Sequence, residues 1–98
     1  MPRKPKCRNV SFIPGVTYFK PPGIPLKQLK EEQLRVEEIE AIRLKDYEGW
    51  EQETCAKSMG ISRPTFQRII TSAHYKVAKA LIEGSAIRIE GGNYRVNS

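Results

Sequence analysis

Residues 52–71 read QETCAKSMGISRPTFQRIIT, and the spacing of small, apolar and capping residues in this stretch decides how the rest of the chain is read. Ala56 is small where two helices touch. Gly60 follows at a turn that needs positive φ, which only glycine adopts without strain. Ile61 fills the angle behind the turn. Ser62 can accept a backbone N–H from the first turn of the next helix, and since Pro64 has none, Thr65 is the expected donor. Pro64 lies in the first helical turn, where a missing N–H is harmless. Phe66 and Ile69 then point inward. Two helices joined by a tight glycine turn in this pattern are a helix-turn-helix, whose second helix can enter a DNA major groove. An ordinary helical hairpin in an all-α core is the alternative reading of the same spacing.

The apolar stripe extends the second helix over 62–83, through Phe66, Ile69, Ile70, Ala73, Val77, Ala80 and Leu81, with Gly84 as its C-terminal cap. Upstream, Val36, Ile39, Ala41 and Ile42 form another helical face, with Glu37, Glu38, Glu40, Arg43 and Lys45 expected outside, and Tyr47-Glu48-Gly49 ending it. Trp50, the only tryptophan, is expected to pack across the junction to the first motif helix at about 51–59.

Outside the helices the period changes. Residues 1–8 are rich in Pro, Lys and Arg and read as a flexible arm. Asn9–Ile13 and Val16–Lys20 read as short strands or a small hairpin around Pro14-Gly15, and Pro21–Pro25 as a rigid linker. Residues 26–34 (LKQLKEEQL) are compatible with one helical turn. At the other end, AIRI and YRV flank Gly91-Gly92-Asn93, a hairpin signature expected to pair with the N-terminal strands or with a partner subunit. The expected fold is mainly α: a three-helix helix-turn-helix core with short strands or a hairpin at both termini. The expected division is arm and strands over 1–25, helix-turn-helix domain over 26–84, and hairpin tail over 85–98.

Charge supports a nucleic-acid partner. The 98-residue chain carries +6, unevenly spread. Residues 1–30 hold seven basic side chains and no acid; residues 31–62 hold nine acids against four bases; residues 63–98 hold six bases against two acids. Basic surfaces on the arm and second motif helix, with the acids elsewhere, suit phosphate binding. No apolar run reaches a membrane span, and no apolar stretch follows the basic N-terminus as in a secretory signal, so a cytoplasmic protein is expected. The two cysteines form no CxxC pair, and the one histidine, His74, has no evident partner in sequence. Cys55 reads as core and Cys7 as exposed. No metal site, cofactor or catalytic constellation is expected, and the chain does not read as an enzyme.

With 66, 69, 70 and 73 inward, Arg63, Pro64, Thr65, Gln67, Arg68 and Thr71 face outward near the helix start, which is the end that reaches base edges. Gln67 suits adenine and Arg68 guanine. Ser62 and Gln52, at helix N-termini, suit phosphate. Lys76 and Lys79 read as phosphate contacts or solvated positions. Arg3 and Lys4 in the arm suit the minor groove.

Two resemblances rest on longer segments. Val36 to Leu81, with LKDYEGW, AKSMGISRPTFQRI and a long basic helix, resembles region 4 of bacterial sigma factors. MPRKPKCR, VTYFKPPGIPL, LRVEEIEAIRLKDYEG, MGISRPTFQRI and IRIEGGNY make residues 1–94 similar to uncharacterised protein family 0251 (domain of unknown function 134). The resemblance implies sequence-specific binding of double-stranded DNA by a transcriptional regulator. A homodimer is expected because one such helix reads few base pairs. The competing expectation is a sigma-like adaptor whose acidic helices bind RNA polymerase or another protein.

Overall fold

The computed structural model describes residues 7–97. In chain order it contains β1 (Arg8–Val10), β2 (Tyr18–Phe19), a 3-10 turn (Leu26–Gln28), β3 (Glu31–Leu34), α1 (Val36–Ile42, continued by a π turn over Arg43–Tyr47), α2 (Gln52–Met59), α3 (Arg63–Glu83), β4 (Ala86–Ile89) and β5 (Tyr94–Val96).

The helices end where local chemistry ends them. Gly60 sits at φ 68°, and behind it the Gly60 and Ile61 N–H groups close back on Lys57 O (3.1 Å) and Ala56 O (3.0 Å), the Schellman pattern. A Cβ at Gly60 would also approach Asn9 Nδ2 to 2.8 Å, so the turn is both left-handed and pressed against the middle of β1. Ser62 Oγ accepts the Thr65 N–H at 3.3 Å, with Pro64 in the first turn of α3. Gly84, at φ 70°, closes α3.

The fold is mixed α/β rather than mainly α. The segments around the helices assemble two sheets, in which the C-terminal strands pair with the N-terminal ones as expected. β4 is the centre of a three-stranded sheet, antiparallel to β2 and parallel to β3. β5 pairs in parallel with β1, Arg8 opposite Tyr94 and Val10 opposite Val96. Neither expected hairpin forms, because β1 and β2 lie in different sheets, as do β4 and β5. The helical turn in 26–34 covers only Leu26–Gln28. Glu31–Leu34 is strand because tertiary pairing overrides its helix-favouring composition: β4 offers an open edge, and Arg88 donates to Glu31 across it at 2.9 and 3.1 Å. Gly91-Gly92-Asn93 does not fold β5 back on β4. It carries the chain over the start of α1, where Gly91 O accepts the Val36 N–H (3.0 Å) and the Glu37 carboxylate accepts the Asn93 N–H (3.1 Å).

Two apolar clusters meet along α3. Ala41, Leu44, Cys55, Ala56, Met59, Phe66, Ile69 and Ile70 pack α1, α2 and the first half of α3 together. Val10, Leu34, Val36, Ala73 and Ile89 join the sheets to the helices. The expected stripe stops at Ala80, since Leu81 and Ile82 are 74% and 86% exposed.

The largest departure from expectation concerns α1. Glu37, Glu38 and Glu40 are buried, not solvent-facing. A buried carboxylate is tolerable only when its oxygens are satisfied, and each of these reaches a different element. Glu37 holds the β4–β5 connection. Glu38 accepts the Arg35 N–H (2.9 Å), the Ser72 hydroxyl (2.7 Å) and the Lys76 ammonium (2.7 Å). Glu40 accepts the Ser11 N–H (2.7 Å) and two Arg43 guanidinium N–H groups (2.8 and 3.0 Å). The acidic helix is an internal clamp.

Candidate nucleic-acid interface

The inward side chains of α3 set the outward ones. Phe66, Ile69, Ile70 and Ala73 are buried, leaving Arg63, Pro64, Gln67, Arg68 and Thr71 exposed on the first half of the helix. Thr65 is half-buried and Ser62 exposed. These residues are linked among themselves. Ser62 Oγ donates to Thr65 Oγ1 (2.9 Å), Arg68 Nη2 donates to the same oxygen (3.2 Å), and Gln67 Nε2 donates to Thr71 Oγ1 (3.2 Å). The two candidate base readers are therefore oriented by hydroxyls one turn away on their own helix.

Gln52 is half-buried at the first turn of α2 and lines an open cleft with Lys45, Glu51, Glu53 and Arg63. Two carboxylates beside it make that cleft less suited to phosphate than its helix-terminal position suggests. A second cleft opens on the turn itself, lined by Arg8, Lys57, Gly60, Ile61, Ser62 and Thr65. It carries two cations and no acid, at the positive end of a 21-residue helix dipole. Arg8 and Lys57 were not among the expected contacts. Their signal in sequence is slight: Lys57 stands three residues before the turn glycine, and Arg8 arrives only because β1 packs against the end of α2. Arg3 and Lys4 lie outside the described residues.

Lys76 and Lys79, expected as phosphate contacts or solvated positions, pair within the chain with Glu38 (2.7 Å) and Glu32 (3.2 Å). His74 does have a partner: its Nε2 lies 2.6 Å from Asp46 Oδ2, bridging α3 to the end of α1. Burial pushes the Glu38 carboxyl up, but the Lys76 ammonium, the Arg35 N–H and the Ser72 hydroxyl outweigh it and hold the group below the ordinary carboxylate range. Burial raises the Cys55 thiol, and its sulfur faces Trp50 O at 3.7 Å. Cys7 Sγ donates to Asn93 Oδ1 (3.2 Å), across the β1–β5 pair. Among the described residues no group of three or more His, Cys, Asp or Glu could hold a metal ion, and no helix is long and apolar enough to cross a membrane.

Comparison with known proteins adds a family. The family model described as "Protein of unknown function DUF134" matches residues 1–97. Relatives named UPF0251 protein include one from Desulforudis audaxviator, 68% identical over 94 residues, covering 96% of this chain and 61% of the relative. One from Moorella thermoacetica is 65% identical over 96 residues, covering 98% of this chain and 64% of the relative. One from Thermoanaerobacter pseudethanolicus is 66% identical over 96 residues, with 98% and 81% covered. The chain thus spans less than two thirds of the length of the first two. No solved structure matches the chain.

Proposed function

The chain belongs to the DUF134 (UPF0251) family, and from that premise we propose that it is a sequence-specific DNA-binding protein, a cytoplasmic, non-catalytic transcriptional regulator that inserts the start of α3 into the major groove. One observation carries this reading. The first half of α3 presents Arg63, Gln67, Arg68 and Thr71 outward behind a glycine turn, while the neighbouring acidic helix turns its three glutamates into the protein. A face with base-reading side chains and no acid among them suits a polyanion.

In this arrangement Gln67 and Arg68 read base edges, Arg63 and Thr65 flank them, and the Ser62–Lys57–Arg8 cleft takes a backbone phosphate. The expectation drawn from the sequence of Val36 to Leu81, a likeness to sigma region 4, points to the same docking. Burial of Glu37, Glu38 and Glu40 takes three carboxylates off the acidic surface that the adaptor reading needs, leaving Asp46, Glu48, Glu51 and Glu53 exposed. Two copies on a two-fold site supply the contacts that one helix lacks, with half-sites about 10 base pairs apart.

The test is anisotropy of labelled duplex DNA over a salt series. The expected result is affinity that falls steeply with salt, with a two-to-one protein:duplex mass by light scattering. Affinity independent of salt overturns the reading.

A further inference from the structure

Gln67 and Thr71 lie one turn apart on the exposed face of α3, and the Gln67 amide donates one of its two N–H groups to Thr71 Oγ1 at 3.2 Å. That bond decides what Gln67 has left to offer. A free glutamine amide carries two donors and an acceptor and can meet several base edges. With one donor committed, a single N–H and Oε1 remain, side by side. Adenine presents a complementary pair in the major groove, an N7 acceptor beside an N6–H donor. Guanine presents two acceptors, N7 and O6, so Oε1 would face an oxygen or nitrogen lone pair with nothing to donate to it.

Resting on the DNA-binding reading above, we propose that Thr71 is a positioning residue that makes Gln67 an adenine reader by occupying its second N–H. Thr71 acts through Gln67. Its contribution is to discrimination, not to overall affinity, which phosphate contacts dominate.

The experiment selects bound sequences from a random duplex pool with the parent chain and with Gln67→Ala, Thr71→Val and Thr71→Ser in parallel. The parent and Thr71→Ser should enrich adenine at a position that Gln67→Ala leaves unselected. Thr71→Val should admit guanine there, with adenine-over-guanine discrimination falling about tenfold. Its salt dependence and thermal midpoint should stay at the parent's values, because residue 71 is exposed and a merely structural role would move the midpoint. Retained adenine preference in Thr71→Val, failure of Thr71→Ser to restore it, guanine at that position in the parent, or no position lost in Gln67→Ala overturns the inference while leaving DNA binding intact. A parent that enriches nothing overturns the DNA-binding reading and this inference together.

Discussion

The Glu38 carboxylate, fully buried on α1, receives the Lys76 ammonium of α3 at 2.7 Å. Together with the Ser72 and Arg35 contacts, this bond fixes the helix that presents Gln67 and Arg68 against the helix behind it. Glu38→Gln keeps the shape but removes the charge that three donors face. A loss of about 2–3 kcal/mol of unfolding free energy is expected, moderated by the partial exposure of Lys76. Urea unfolding of parent and variant measures it.

The same group makes folding acid-sensitive. The folded Glu38 carboxyl titrates below its unfolded value near 4.5. Its contribution is therefore complete above that value and is lost as pH falls from there through the folded pKa. Unfolding free energy measured from pH 6 to pH 2.5 should decline along this limb in the parent. The decline should be shallower in Glu38→Gln.

Gly92→Ala tests the turn over α1. The residue sits at φ 112°, and an added Cβ would overlap Glu37 Oε1. Backbone strain and loss of the Glu37–Asn93 contact should lower stability by roughly 2–4 kcal/mol. Gly15→Ala, with nothing near its Cβ and no positive φ, should stay within about 0.5 kcal/mol of the parent. Thermal unfolding of the two variants separates them.

The α2–α3 pair and its glycine turn were legible because everything that makes them is local: Ala56, Gly60, Ser62 and Pro64 act on neighbours within a turn or two. The strands near both termini were legible as well, and the C-terminal ones do pair with the N-terminal ones, but β3 and the sheet order were not. EEQL is a good helix sequence, and only β4, more than fifty residues later, makes it a strand. Gly91-Gly92-Asn93 has the composition of a hairpin turn, and what redirects it is the Glu37 carboxylate, which periodicity placed outside. Charged residues next to an apolar stripe default to solvent, and Glu37, Glu38 and Glu40 defy that default because each has a partner distant in sequence, Asn93, Lys76 and Ser11 respectively. Two traces were local: Arg43 stands three residues after Glu40, and Glu38 three after Arg35, where a capping-box glutamate reaches back to the helix entry.

Lys57→Ala tests the cleft at the turn. Lys57 is exposed and shares that cleft with Arg8, Ser62 and Thr65. Removing it should weaken binding to every duplex alike and reduce the slope of log affinity against log salt by about one, with sequence preference unchanged. Anisotropy titrations at four salt concentrations on two unrelated duplexes give both quantities.

The most direct test of DNA reading by α3 is the affinity of the parent for its selected duplex relative to a scrambled one, set beside the same ratio for Gln67→Ala/Arg68→Ala. The expected ratio for the parent is on the order of a thousandfold or more at physiological salt, falling to near one in the double variant while binding to scrambled DNA persists. A parent ratio near one, or a double variant that discriminates as well as the parent, would contradict it.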